Sequence, residues 1–130
     1  MVERQQNSNL ITPYFTEFLP SKINQPLLPG LKNLSISFVI EIYDPTEFSW
    51  SLRISGGVLH SISTLPHGQE ECWYRLDTQT FLPIVQGKLS PQRAFFKRRV
   101  EITGNLEKGL RLAFVLGDFF STFPYSGKSL

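Results

Sequence analysis

The last helix predicted in this chain, from Leu106 to Phe120, constrains the fold more than any other segment. Its first turns have an ordinary polar side, with Glu107 near the positive helix N-terminus and Lys108 and Arg111 facing water. After Arg111 nearly every residue is apolar, so a period of 3.6 residues places large apolar groups on all faces. A helix of this kind must be buried on more than one side. We therefore expect a partner subunit, a lipid-like ligand or the rest of a longer parent protein to cover it.

Upstream of that helix, apolar and polar residues alternate with the period of two that is typical of half-buried strands. The predicted strands are residues 34–43, 48–55, 58–64, 71–76 and a short one that begins at residue 100. The predicted helices begin near residues 12, 78, 91 and 106, with Asp77 and Ser90 as N-caps of the two central ones. Short connections between the strands favour antiparallel neighbours. The order predicts an α+β fold, with a five-stranded, mainly antiparallel sheet and helices packed on one face.

The second half of the chain resembles the sterol carrier protein 2 (SCP2) sterol-binding domain family. The residues that carry the resemblance stand in the same order as in that family: Gly87-Lys88-Leu89, Pro91, Ala94-Phe95, Ile102, Gly104-Asn105 and Leu106. It is close over residues 78–120 and looser over residues 11–77. The resemblance implies an SCP2-like domain with a hydrophobic tunnel between sheet and helices. The length of the chain predicts one domain over residues 1–130, and we expect flexible ends at 1–10 and 121–130. SCP2-like domains also occur fused to catalytic domains.

Aromatic content favours the binding of an apolar molecule. Eleven phenylalanines and two tryptophans are a heavy load for 130 residues, and lipid pockets are lined mainly by such side chains. We expect non-catalytic binding, and possible transfer, of a fatty acyl chain, an isoprenoid or a sterol-like molecule. The predicted cavity residues are Phe38, Trp50, Phe81, Ile84, Phe95, Phe96, Leu110, Phe114 and Phe120. The alternative is that all nine are ordinary core residues.

No pattern in the chain indicates catalysis, so we predict no enzyme activity, no catalytic residue, no metal and no cofactor. His60 and His67 are the only histidines, and Cys72 is the only cysteine. Neither residue type stands at a spacing that indicates a nucleophile with its base and orienting carboxylate. Glu70 and Glu71 are adjacent in a strand, where successive side chains point to opposite faces, so they would not converge on one substrate atom.

Charge and composition suggest the partners and the location. Residues 88–111 contain seven basic and two acidic side chains, and Lys97, Arg98 and Arg99 could contact an anionic membrane surface. The same residues could equally form a solvated rim, and we expect no nucleic-acid partner. A homodimer, or docking on an enzyme through the C-terminal apolar helix, is the alternative function. The single cysteine, a polar N-terminus and the lack of an apolar run of about 20 residues favour the cytoplasm.

Overall fold

Five strands form one open sheet in the computed structural model, which describes residues 10–22, 34–44, 47–64 and 68–126. The strands are β1 (Ile36–Tyr43), β2 (Phe48–Ser55), β3 (Val58–Ser63), β4 (Cys72–Asp77) and β5 (Glu101–Gly104). Their order across the sheet is β3-β2-β1-β4-β5. The predicted five-stranded α+β fold is therefore confirmed.

Three of the four strand pairs are antiparallel, and the fourth, between β1 and β4, is parallel. β4 follows β3 in the chain but lies on the other side of β1, where Phe38 faces Cys72. The backbone N–H of Glu71 donates to the carbonyl of Ser37 at 2.8 Å and holds the start of β4 against β1. The prediction of a mainly antiparallel sheet holds. However, β3 and β4, which are consecutive in the chain, are not neighbours in the sheet.

Three helices begin at side-chain caps that satisfy free backbone N–H groups. They are α2 (Thr78–Val85), α3 (Pro91–Phe96) and α4 (Leu106–Thr122), capped by Asp77, Ser90 and Asn105. The cap oxygens accept from backbone N–H groups three residues further on, at 2.7, 3.0 and 3.1 Å. The predicted caps of α2 and α3 are thus confirmed.

The first helix, which we name α1 (residues 10–22), changes form along its length. Residues 10–13 are α-helical, Tyr14–Phe18 form a wider π-helical turn, and Leu19–Lys22 form a 3-10 turn. The chain is already helical before Thr12, so the helix begins earlier than predicted. The tighter last turn contains Pro20, whose ring has no N–H to donate to an α-helical bond.

One irregularity in β3 decides which of its side chains enter the core. Arg53 of β2 pairs with Ser61, whereas the next residue, Ile54, pairs with Leu59, which leaves His60 as an extra residue in the ladder. Such a bulge breaks the period of two. As a result Leu59 is buried and His60 is exposed, although strict alternation places His60 with the flanking apolar residues.

The chain beyond Phe120 packs against the body of the protein as far as it is described. Helix α4 continues to Thr122, and Tyr125 is buried. The backbone N–H of Tyr125 donates to the carbonyl of Val85 at 2.9 Å, and its hydroxyl donates to the carbonyl of Leu10 at 3.0 Å. The flexibility that we expected for residues 121–130 stays a prediction. Residues 1–9 and 127–130 lie outside the described part of the chain.

Candidate functional site

An apolar cavity of about 50 Å³ lies between the sheet and the helices. Strands β1 to β3 form its floor, and helices α1, α2 and α4 form its roof. The lining residues are Tyr14, Leu19, Phe38, Ile40, Leu52, Ile54, Leu59, Phe81, Val85, Leu116, Phe119 and Phe120. A space of this size holds at most one or two water molecules, so a lipid requires the walls to move apart.

Local sequence patterns place these side chains on the cavity wall. Alternate residues of β1 and β2 point to the same face of the sheet, and the bulge in β3 adds Leu59 to them. On α4, Leu116, Phe119 and Phe120 stand at spacings of three and four, which brings them to one side of the helix. The cavity is therefore the place where the inner face of the sheet meets the inner face of α4.

Aromatic rings from α1 pack beside this cavity, and the ring of Tyr14 lines it. Phe15 stacks on Trp50 with 4.6 Å between the ring centroids, and the centroids of Phe15 and Phe81 are 5.7 Å apart. Tyr14 meets Phe81 edge to face at 5.7 Å and Tyr125 at 4.9 Å. Ring packing of this kind stabilises the contact between α1 and the rest of the core.

Two polar atoms in this aromatic cluster are buried without a hydrogen-bond partner among the described residues. They are the hydroxyl oxygen of Tyr14 and the indole Nε1 of Trp50. Tyr14 is 2% exposed, and its burial raises the pKa of the phenol well above its usual value. The hydroxyl is therefore neutral at every physiological pH. Unpaired buried groups of this kind are uncommon in native proteins and call for a physical reason.

The nine predicted cavity residues divide into three groups. Phe38, Phe81 and Phe120 line the cavity. Trp50 and Ile84 are buried in the core but do not line it. The remaining four lie towards the surface: Phe95 and Phe96 in a groove beside Arg98, Phe114 in a groove beside Ser90, and Leu110 half-buried on α4.

Helix α4 is not buried on all sides by the described protein. Leu112, Ala113 and Phe119 are on its buried face, whereas Phe114 is 62% exposed and Leu106 is 46% exposed. The expectation that something covers the whole helix is not met within the described part of this chain. The excess apolar surface remains on the outer face of α4.

The wall residues that we did not predict had a readable signal. Leu52 and Ile54 lie on the inner face of a predicted strand, and Leu116 and Phe119 share a helical face with Phe120. Tyr14 lies on α1, whose apolar residues have the helical spacing of an ordinary core-packing helix. Only its hydroxyl distinguishes it from the other aromatic residues of that helix.

The acidic and thiol groups near the start of β4 are engaged in other contacts. Glu70 accepts a hydrogen bond from the Ser51 hydroxyl at 2.6 Å, and Glu71 pairs with the Lys108 ammonium at 2.6 Å. Cys72 is fully buried, and burial raises the pKa of its thiol to about 11. Across the described ranges, no three His, Cys, Asp or Glu side chains come close enough together to hold a metal ion. In those same ranges, no helix has the length and hydropathy needed to cross a membrane.

Comparison with solved structures shows where this fold occurs. A conserved hypothetical protein of Thermus thermophilus, described as possibly a sterol carrier protein, matches with a TM-score of 0.66 at 15% identity. The match covers 89% of this chain and 93% of that one. The sterol carrier protein domain 2 of Helicoverpa armigera matches with a TM-score of 0.60 at 15% identity, over 92% and 90% of the two chains. At these identities the likeness shows the shared fold.

Sequence comparison gives the family. Human sterol carrier protein 2 is 31% identical over 68 residues, which are 51% of this chain and 12% of the human protein. The model of the SCP-2 sterol transfer family matches residues 15–117, well over half of the chain. Together with the shared fold, this match confirms the resemblance noted in the sequence. The chain belongs to the SCP-2 sterol transfer family.

Proposed function

We propose that this protein binds an apolar, lipid-type molecule between the inner face of the sheet and helices α1 and α4, without catalysing a reaction on it. The observation that carries the proposal is the cavity, whose exposed wall is entirely apolar. Sterol carrier names among the relatives support the same class of ligand. Release of the ligand to a membrane or to another protein would make the chain a transfer protein.

Helix α1 is the wall that we infer moves to admit the ligand. Ring contacts hold it, namely those of Phe15 with Trp50 and Phe81 and those of Tyr14 and Phe18 with Tyr125. The hydrogen bond from the Tyr125 hydroxyl to Leu10 adds one polar contact. Side-chain contacts are more easily exchanged for contacts with a ligand than the backbone ladder that holds the sheet strands together. Burying about 300 Å² of apolar ligand surface contributes roughly 7 kcal/mol to the free energy of binding. The free energy needed to move α1 reduces this contribution.

The test is a fluorescence titration with diphenylhexatriene, a neutral apolar probe, on the wild type and two matched variants. Leu116 and Leu110 are both half-buried on α4, but only Leu116 lines the cavity. Overpacking costs about 1–3 kcal/mol, so Leu116→Trp is expected to weaken binding about 5- to 100-fold, whereas Leu110→Trp leaves it unchanged. Circular dichroism checks that both variants fold. The proposal fails if the wild type shows no saturable binding, or if the two variants behave alike.

We further propose that residues 96–99 contact an anionic membrane surface during loading or release. Phe96 is 68% exposed, and Lys97, Arg98 and Arg99, which follow it, are exposed as well. An exposed ring beside cations suits the interface of an anionic bilayer, where each cation contributes about 1 kcal/mol.

Flotation with vesicles of phosphatidylcholine and phosphatidylserine tests this contact. Arg99→Glu is expected to weaken binding by about fivefold or more, because it removes an attraction and adds a repulsion. Arg53→Glu is the matched control, since Arg53 is an exposed arginine on a central strand, away from residues 96–99. The contact would be refuted if Arg99→Glu and Arg53→Glu bound the anionic vesicles equally well. It would also be refuted if the wild type bound vesicles of pure phosphatidylcholine as well as the anionic ones.

A second candidate function follows from the outer face of α4. Leu106, Leu110 and Phe114 stand four residues apart, and the first and last of them are exposed. Such a stripe fits a dimer or docking on an enzyme. Light scattering across a range of concentrations distinguishes the two functions. A dimer that Phe114→Asp converts to a monomer supports the second function, and a monomer at every concentration removes the homodimer.

The same proposal includes the absence of catalysis and a cytoplasmic location. Two observations support the absence of catalysis: His60 is exposed on β3, and Cys72 is buried with a raised thiol pKa, which disfavours its thiolate. The cytoplasmic location stays a prediction from the sequence.

A further inference from the structure

A surface groove lies between helix α3 and strand β5, at the edge of the sheet. Its volume is about 550 Å³, within the range of about 300–1,000 Å³ that is typical of small-molecule sites. In the described chain its lining residues are Phe95, Phe96, Arg98, Val100, Glu101 and Ile102. The groove therefore combines an apolar wall with one cation and one carboxylate.

Arg98 occupies a backbone position that glycine usually takes. Helix α3 ends in a Schellman motif, in which the N–H of Arg99 donates to the carbonyl of Ala94 at 2.9 Å. The N–H of Arg98 donates to the carbonyl of Phe95 at the same distance. This motif puts Arg98 in the left-handed region, with φ at +63°, where a Cβ is strained. A non-glycine residue in such a conformation points to a function of its side chain.

The two charged groups of the groove have no ion-pair partner within the described ranges. Arg98 and Glu101 are both exposed, and neither pairs with the other or with another described residue. Beside them the ring of Phe96 is 68% exposed. A ligand that is complementary to this groove carries a negative group, a positive group and hydrocarbon.

We propose that the groove binds one phosphatidylserine molecule of a bilayer, with the lipid phosphate on the Arg98 guanidinium and the head-group ammonium on Glu101. A guanidinium can donate two parallel hydrogen bonds to a phosphate. The rings of Phe95 and Phe96 then contact the hydrocarbon next to the head group. This site rests on the proposed membrane contact of residues 96–99 and names the lipid and the groups that hold it.

The surrounding charge favours a lipid with both net negative charge and an ammonium group. Lys97 and Arg99 flank Arg98 and are exposed, so the surface around the groove attracts an anionic bilayer. Phosphatidylglycerol has the net charge but no ammonium for Glu101, and phosphatidylethanolamine has the ammonium but no net charge. Phosphatidylserine has both. The exposed ring of Phe96 suits the interface of a bilayer rather than bulk water.

Vesicle flotation with matched charge variants tests the phosphate contact. Arg98→Gln and Arg99→Gln each remove one exposed cation, but only Arg98 lines the groove. Arg98→Gln is expected to weaken binding to vesicles of phosphatidylcholine and phosphatidylserine about 10- to 150-fold, because it removes a charge-assisted hydrogen bond. Arg99→Gln loses only the general attraction to the surface, which corresponds to about fivefold.

Vesicles of equal charge that contain either phosphatidylserine or phosphatidylglycerol test the ammonium contact. The wild type is expected to bind the phosphatidylserine vesicles about fivefold or more tightly, the equivalent of one further hydrogen bond. Glu101→Gln should remove this preference. Glu107→Gln is the matched control and should keep it, because Glu107 is an exposed acid that does not line the groove.

Thermal unfolding of Arg98→Gly separates a role in binding from a role in folding. Glycine relieves the strain at φ +63°, so the midpoint of unfolding should rise by about 2–4 °C, while vesicle binding falls as in Arg98→Gln. A lower midpoint would mean that the Arg98 side chain stabilises the protein itself, and the proposed role would be overturned.

The remaining outcomes distinguish the groove from the wider membrane contact. If the wild type binds anionic vesicles but Arg98→Gln and Arg99→Gln weaken binding equally, the membrane contact stands and the groove site is refuted. Equal binding of the wild type to phosphatidylserine and phosphatidylglycerol refutes it as well. The same holds if soluble glycerophosphoserine binds as tightly as the vesicles, because the groove would then hold a free head group. If the wild type binds no anionic vesicle, the membrane contact and the groove site fail together.

Discussion

Replacing Tyr14 by phenylalanine is expected to stabilise this protein, which is the opposite of what most core substitutions do. The change removes one oxygen and keeps the ring, so the contacts with Phe81 and Tyr125 remain. The oxygen that is lost is buried and has no partner among the described residues. Leaving such a group unsatisfied costs about 1–3 kcal/mol, and the variant recovers that free energy of unfolding.

The size of the effect follows from the length of the chain. With an unfolding entropy of about 2.1 cal/mol/K for each of 130 residues, about 1 kcal/mol corresponds to a shift of about 4 °C in Tm. Tyr14→Phe should therefore raise Tm by about 4 °C or more. Tyr74→Phe removes a satisfied hydrogen bond of 2.7 Å and should lower the free energy of unfolding by about 1 kcal/mol, with a similar fall in Tm.

Thermal and urea unfolding of the two variants and the wild type, followed by circular dichroism, measures both shifts without any ligand. Opposite signs are expected. If Tyr14→Phe lowers the midpoint as Tyr74→Phe does, the Tyr14 hydroxyl has a partner inside the folded protein.

Three further predictions concern the fold and its surface. Gly104→Ala should lower the free energy of unfolding in urea by about 3 kcal/mol or more, because φ is +88° and a Cβ would lie 2.5 Å from the Glu71 carbonyl oxygen. Gly56→Ala is the control and should lower it by about 1 kcal/mol, because φ is +58° but the space around the Cβ is open. Equal losses for the two variants would contradict this prediction. The free energy of unfolding should fall as pH rises from 9 to 11, because burial raises the Cys72 thiol pKa from 9.0 to about 11 and the unfolded chain loses that proton first. Urea unfolding across this range should give a shallower fall for Cys72→Ala, and an unchanged slope would argue against the shift. Phe114→Asp should change the free energy of unfolding of the monomer by about 0.5 kcal/mol or less, since the side chain is 62% exposed. A large loss in that measurement would mean that Phe114 is covered.

Local patterns made most of the fold predictable. The strands follow from alternation, and the starts of α2 and α3 follow from Asp77 and Ser90, whose caps act within three residues. The parallel pairing of β1 with β4 is a contact between distant segments, which no local pattern contains. The bulge at His60 likewise depends on how β2 and β3 pair. Both features arise from tertiary packing and had to be observed.

The lining of the cavity was predictable only in part. Phe38 and Phe81 lie on elements that pack into the core, and both line the cavity. Phe114 lies on α4, which has apolar residues in excess, and Phe96 is the last residue of the short helix α3; in neither case does the spacing show that the side chain faces outwards. The Tyr14 hydroxyl has no hydrogen-bond partner among the described residues, and this is a property of the folded structure that no sequence pattern contains.

The most direct test of the central claim is to record heteronuclear NMR spectra of the labelled protein during a titration with decanol. If the cavity between the sheet, α1 and α4 is the binding site, the largest saturable shifts appear at Phe38, Leu52, Phe81 and Phe120, with Phe95 and Phe96 unmoved. Shifts confined to the surface of α3 or to the outer face of α4, or no saturable shifts at all, would contradict it.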